Sequence, residues 1–253
     1  MHALTTQLRT LTASVAIAAL GMGFASVASA MATYDSLGSL ELTLTGVTDS
    51  AGAPVQSGWL VTALGFEDDA GSFTVGDAVA DFETDIFPAT NIAVDETVSQ
   101  SSSSSGSATD GSADSFAFTS LFVEVGNTSG QPLTFTFDYD ALTQAAVSST
   151  GDVGDDAFAF AMVDLGDALG LTGGIFAEAT ADLLFGPLED EMGDSGVLTF
   201  TLQDGQVNIL DGFIDSQGFA TAGVPDVPEP ATVALLASGL LGFGAALRRR
   251  KAP

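Results

Sequence analysis

Cysteine is absent from this sequence, so disulfides, thiolate metal sites and thiol nucleophiles are excluded together. Cations are nearly absent as well. Arg9 lies near the N-terminus, Arg248, Arg249, Arg250 and Lys251 lie at the C-terminus, and the single histidine is His2. Between Met31 and Glu229 run 199 residues that hold all 33 Asp and Glu and not one Lys, Arg or His. Within that segment a Ser-His-Asp triad, a Schiff-base lysine and an arginine phosphate clamp cannot be assembled. Zinc loses its usual nitrogen and sulfur ligands. Nucleic acid is a very poor partner, because binding it requires clustered basic side chains and the chain carries a formal net charge of −28. The carboxylates must be hydrated, hydrogen-bonded, protonated or bound to external cations, since no internal cation is there to pair with them.

What the two ends do contain reads as targeting information. Residues 1–30 run from a short segment holding Arg9, through an apolar stretch from Leu11 to Phe24, to Ala28-Ser29-Ala30. Charge, apolar core and an A-x-A site in that order describe a secretory signal peptide cut by signal peptidase after Ala30. At the other end, Pro228-Glu229-Pro230 precedes an apolar run of 17 residues, Ala231 to Leu247, and then the basic cluster Arg248 to Lys251. As a helix that run spans roughly 25 Å, the short limit for crossing a bilayer. The basic cluster stays cytoplasmic by the positive-inside rule, which leaves the acidic segment outside. Pro228 and Pro230 cannot continue a helix upstream, so the chain at the membrane face is extended and open to a processing enzyme.

This three-part tail resembles the PEP-CTERM sorting signal: the motif at Pro228, Glu229 and Pro230, one transmembrane helix over 231–247, and a short Arg-rich end over 248–251. The resemblance covers residues 225–253. It implies export across the inner membrane of a Gram-negative bacterium, transient anchoring through the C-terminal helix, and processing by exosortase. The cell surface or extracellular matrix is then the destination, with exopolysaccharide or biofilm as the setting. A permanent C-terminal anchor needs only the helix and the basic cluster, and is the alternative.

The exported segment, residues 31–224, predicts an all-β domain. Leu40, Leu42 and Leu44 alternate with Glu41 and Thr43, and Leu133, Phe135, Phe137 and Tyr139 alternate with Thr134, Thr136 and Asp138. Further strand-rich runs hold Phe116, Phe118, Phe122, Val123 and Val125; Phe158, Phe160 and Met162; and Leu198, Phe200 and Leu202. Such period-two runs bury one face and expose the other. Turn signals at 49–54, 127–130, 151–156, 193–196 and 204–205 separate them. Together they predict an antiparallel β-sandwich, Ig-like or jelly-roll-like, with a core of Phe and Leu. The Ser-rich stretch 100–115 reads as a flexible loop inserted in that domain, since it has too little apolar area to offset its ordering. Ile175 to Phe185 fits a short helix or irregular chain.

Candidate sites are few. No catalytic residue is assigned and no enzyme activity is expected, although an acid-pair hydrolase is a remote alternative because paired carboxylates need neither His nor Cys. Calcium takes six to eight oxygen ligands, and three clusters have the density for it: Asp152, Asp155 and Asp156 in a Gly-rich turn; Glu189, Asp190, Glu191 and Asp194; and Asp81, Glu83 and Asp85 on one strand face. The first is the candidate metal site, with no cofactor required. The sequence thus favours a structural or adhesive surface protein, with a calcium-dependent carbohydrate-binding module as the competing function.

Overall fold

The computed structural model describes residues 31–151 and 154–223. The expected signal peptide, the sorting tail and Asp152 lie outside the described residues. Nine strands follow in order: β1 (Ala32–Asp49), β2 (Trp59–Asp85), β3 (Thr90–Asn91), β4 (Thr97–Asn127), β5 (Leu133–Ser149), β6 (Asp156–Asp167), β7 (Ile175–Asp182), β8 (Glu189–Leu202) and β9 (Val207–Ala222). Every pairing is antiparallel, and no helix occurs among the described residues.

The strands form one sheet in the order β7-β6-β9-β4-β1-β5-β8, with β2 along the other side of β4. Its geometry follows from β4, which is 31 residues long and serves two sets of neighbours. Thr97 to Ala108 pair with β1, whereas Gly111 to Gly126 pair with β9. Between them the β2–β4 ribbon bends at Gly76 and Gly111, which face each other at φ 75° and 138°. The bend turns the β8-β5-β1 half back over the β4-β9-β6-β7 half, and the sheet becomes a nearly closed, barrel-like shell. The Asp182 N–H donating to the Pro187 carbonyl at 3.0 Å and the Thr180 N–H donating to Asp190 at 2.9 Å draw the two end strands together.

Strand direction gives the shell two ends. The terminal end gathers Ala32, the bend at Gly76 and Gly111, Ser149, Asp156, the β7–β8 connection and Ala222. The far end gathers Trp59, Asn127, the β6–β7 connection and Val207. Toward the far end the interior is filled by Leu40, Leu42, Leu44, Val61, Leu121, Val123, Phe135, Phe137, Val163, Phe200, Leu210 and Ile214. Toward the terminal end it becomes a layer of alanines around Tyr34. Tyr34 lies between Gly106 and Gly218, where a Cβ on either glycine would run into the ring. Its hydroxyl and Ser115 Oγ share a hydrogen bond of 2.7 Å, and Ser104 Oγ donates to the Ser115 carbonyl at 2.7 Å. Burial pushes the Tyr34 hydroxyl up to about 12 against the opposing effect of Ser115.

Four expectations are corrected by this arrangement. The Ser-rich stretch 100–115 is the middle of β4, not a loop: it is flanked by β1 and β9 on one side and β2 on the other, and Ser102, Ser104 and Ser115 are buried. Small side chains fit where the two halves of the sheet approach closely; the Ser104 and Ser115 hydroxyls bond to each other there, while that of Ser102 has no partner among the described residues. Ile175 to Asp182 is β7, paired to β6 with Ile175, Ala177, Ala179 and Ala181 turned inward, rather than helix. The 193–196 turn signal lies within β8, in unbroken register with β5. Phe116, Phe118, Phe122, Phe158 and Phe160 are not core residues. The side chains turned inward on those strands are Ala117, Leu121 and Val123 and, on β6, Ala157, Ala159 and Ala161, while the phenylalanines are half-buried on the outer face.

Candidate functional site

Both chain ends leave from the terminal end. The Met31 N–H donates to Thr150 Oγ1 and the Thr150 N–H donates back to the Met31 carbonyl, each at 3.0 Å. On the other side Thr221 pairs with Asp156, and a Cβ on Gly154 would meet Gly223 Cα at 3.6 Å. The segment holding Ala28 and Ala30 and the segment holding Pro228, Glu229 and Pro230 are therefore joined to the same end of the shell, beside the 151–156 turn. Those five residues themselves lie outside the described residues.

That turn carries the candidate metal ligands. Asp155 is buried, accepts a hydrogen bond of 2.5 Å from Ser149 Oγ on Oδ2, and has no hydrogen-bond partner for Oδ1 among the described residues. Asp156 opens β6 and is half-buried opposite Thr221. Asp152 lies outside the described residues. The other two acidic clusters are strung along single strands. Asp81, Glu83 and Asp85 do share one face of β2, opposite Ser105, Ser103 and Ser101. Along β8, Asp190 accepts from the Thr180 N–H, Glu191 from Gln144 Nε2 at 2.8 Å and Asp194 from the Tyr139 hydroxyl at 3.3 Å. Among the described residues no three carboxylates are gathered as a metal site.

The outer face of β6, β9 and β4 holds a feature that the sequence reading does not foresee. Phenylalanines from different strands stack there, Phe118 on Phe213 with ring centres 6.2 Å apart and Phe158 on Phe219 at 5.9 Å. At the far end of this strip lies a depression of 430 Å³ lined by Phe122, Phe213, Ile209, Gly166, Ala168, Asp164, Asp167 and Asp211. Its three acids differ in role. Asp167 is committed to the following loop. It accepts the Leu169, Leu171 and Thr172 N–H groups, the Thr172 hydroxyl and Asn208 Nδ2 at 2.6–3.3 Å. Burial works to raise its carboxyl, but those hydrogen bonds prevail and hold it down at about 2. Asp211 moves upward instead, through burial first and then the neighbouring charges of Asp164 and Asp68. Two carboxylates beside two phenylalanine rings can take a ligand that has a C–H face for the rings and hydroxyl or cationic groups for the acids.

Comparison with known proteins bears on the tail. Residues 226–251 match the family model described as the PEP-CTERM protein-sorting motif. No curated protein and no solved structure matches the chain.

Proposed function

Starting from a chain that carries a PEP-CTERM sorting motif, which implies exosortase-dependent export to the cell surface, we propose a structural or adhesive surface protein without enzymatic activity. In this reading the host is a Gram-negative bacterium. The protein crosses the inner membrane, is held transiently by the 231–247 helix, and is released to the surface or to a matrix of exopolysaccharide. The observation that carries the reading is the motif at 226–251, joined to a shell whose two chain ends leave side by side. We read the bent sheet as a jelly-roll-like sandwich of two layers. A Cβ on Gly212 of β9 would strike Leu40 of β1, and one on Gly38 of β1 would strike Ile214 of β9, so the facing halves touch through their side chains.

Glu229 is the charged residue of the motif, and its replacement tests the sorting step. Glu229→Ala is expected to leave the protein in the inner-membrane fraction of its host, whereas the unaltered chain reaches the surface or the medium. Equal partition of the two between fractions would remove exosortase sorting from the account.

The outer depression favours a second reading, a carbohydrate-binding module, because Phe122 and Phe213 offer a stacking surface beside Asp164 and Asp211. Calcium enters this reading as a brace of the fold at the 151–156 turn, the length of β6 away from the depression, where Asp155 Oδ1 has no partner among the described residues. A glycan array run with millimolar calcium and with chelator is the measurement. Sugar binding lost in Phe213→Ala supports the module, and an array blank in both conditions leaves the structural role alone.

A further inference from the structure

Most large apolar side chains of a soluble shell are turned inward, but the β7–β8 connection reverses this. It reads Leu183-Leu184-Phe185-Gly186-Pro187-Leu188, and Phe185 is 90% exposed, the highest value for any large apolar residue described, with Leu184 at 57% and Leu188 at 53%. Three apolar side chains in one short loop make a patch that water does not favour.

The loop is held in a defined place. The Leu183 N–H donates to the Ala157 carbonyl at 2.9 Å, the Val147 N–H donates to the Leu188 carbonyl at 2.8 Å, and the Gly186 N–H returns to the Asp182 carbonyl at 3.2 Å. Ala157 is the second residue of β6 and pairs with Ala220. Leu183–Leu188 therefore stands at the terminal end, alongside the point where the chain passes through Gly223 toward its tail.

From there the distance to an apolar phase is short. Seven residues, Val224 to Pro230, separate Gly223 from Ala231, where the 17-residue apolar run begins. Fully extended they reach roughly 25 Å, and less in any other conformation. When that run is in a bilayer, the terminal end is the face of the shell turned toward it, and a loop bearing Leu184, Phe185 and Leu188 projects from that end, which also carries the exposed Val75 and Val79 of the bend.

We propose that Leu184, Phe185 and Leu188 dock on the lipid surface while the tail is inserted, and seat the shell on the membrane before processing. The proposal rests on the reading of Ala231 to Leu247 as a membrane span. The lipid chemistry is zwitterionic. Asp77, Asp110, Asp182 and Glu189 ring the same end without any described cation among them, and an anionic surface would be repelled. Aromatic and leucine side chains inserted at the headgroup boundary are the usual means of such contact.

The only native tryptophan, Trp59, is at the far end, roughly 40 Å away by the length of β6 at about 3.3 Å per residue. It is an internal control. The chain from Met31 to Pro253, with Phe185→Trp, is reconstituted into phosphatidylcholine vesicles with and without brominated acyl chains, and its flotation is measured in parallel. The expected result is flotation with the vesicles, Trp59 emission unchanged by bromine in the unaltered chain, and at least half of the added indole emission lost to bromine in the variant. Flotation with the added indole open to aqueous iodide and untouched by bromine overturns the docking and leaves the span in place. A chain that does not float overturns the span and the docking together.

Discussion

Acidifying this protein from pH 7 to about pH 4 will raise its melting temperature, and only below that will stability fall. The expectation follows from carboxyls displaced in opposite directions. Burial pushes Asp35 on β1 and Asp215 on β9 up to about 6 from an ordinary value of 3.8. Asp215 is 7% exposed, its Oδ2 accepts only a 3.3 Å hydrogen bond from Gln217, and its Oδ1 has no partner among the described residues. A carboxyl whose pKa is higher in the folded chain than in the unfolded one binds its proton more tightly when folded. It therefore adds stability as the pH falls from above 6 to below 3.8, and that contribution is absent above 6. Asp167, held at about 2 by its hydrogen bonds, has the reverse sign: its contribution is present above 3.8 and is lost as the pH falls toward 2. The 33 acids of residues 31–229, which have no Lys, Arg or His among them, push the same way as Asp35 and Asp215, since protonation relieves their mutual repulsion. Most proteins are most stable between about pH 5 and 8, so a maximum near pH 4 is diagnostic. Asp215→Asn removes one of these two local causes and should stabilise the protein at pH 7 by about 2 kcal/mol, or roughly 5 °C in melting temperature, with a shallower rise on acidification. Calorimetry across pH 2–8 checks both. A melting temperature that falls steadily from pH 7 to 4 would contradict the burial of these groups.

The second large effect is at the bend of the β2–β4 ribbon. Gly76 and Gly111 face each other with φ in the range that L side chains avoid, and the space is closed as well as the dihedral. A Cβ on Gly111 would collide with the Val75 carbonyl oxygen, and one on Gly76 with that of Asp110. Both obstacles are backbone in a paired ribbon, so neither can turn aside. Strain of about 1–3 kcal/mol from the dihedral and a similar overpacking cost of about 1–3 kcal/mol predict that Gly111→Ala loses about 2–6 kcal/mol. Gly76→Ala should behave alike. The same substitution at Gly205, which has φ 75° and open space around it, isolates the dihedral and should cost only about 1 kcal/mol. Urea unfolding of the three variants separates these cases. A loss at Gly111 no greater than at Gly205 would mean that the ribbon does not need its bend there.

These glycines also mark where sequence reasoning reaches its limit. The alternation of Leu40, Leu42 and Leu44 and of Leu133 to Tyr139 identifies strands, because local periodicity decides which residues share a face. Which face turns inward is not a local property. On β6 the bulkier Phe158, Phe160 and Met162 suggest the core side, yet the interior takes Ala157, Ala159 and Ala161, because the other half of the sheet lies too close for anything larger. The Ser-rich stretch misleads for the same reason. Read alone it has nothing to bury; between β1, β9 and β2 its backbone is paired on both sides except around Thr109 and Asp110 at the bend, and its small side chains are what the close approach requires. The outer depression draws Phe122, Asp164, Ile209 and Phe213 from three strands far apart in sequence, so no spacing announces it. The tail is the opposite case. A short contiguous signal must be read by an enzyme as linear sequence, and Pro228-Glu229-Pro230, the apolar run and the basic end are legible for that reason.

The central claim is that the acidic shell is a sorted and released product of a longer precursor. Mass spectrometry of the protein recovered from the surface or medium of its native host tests it at both ends at once. The account predicts a chain that begins at Met31 and lacks Ala231 to Lys251. Recovered protein that still ends in Arg248 to Pro253 would contradict it and establish a permanent anchor instead.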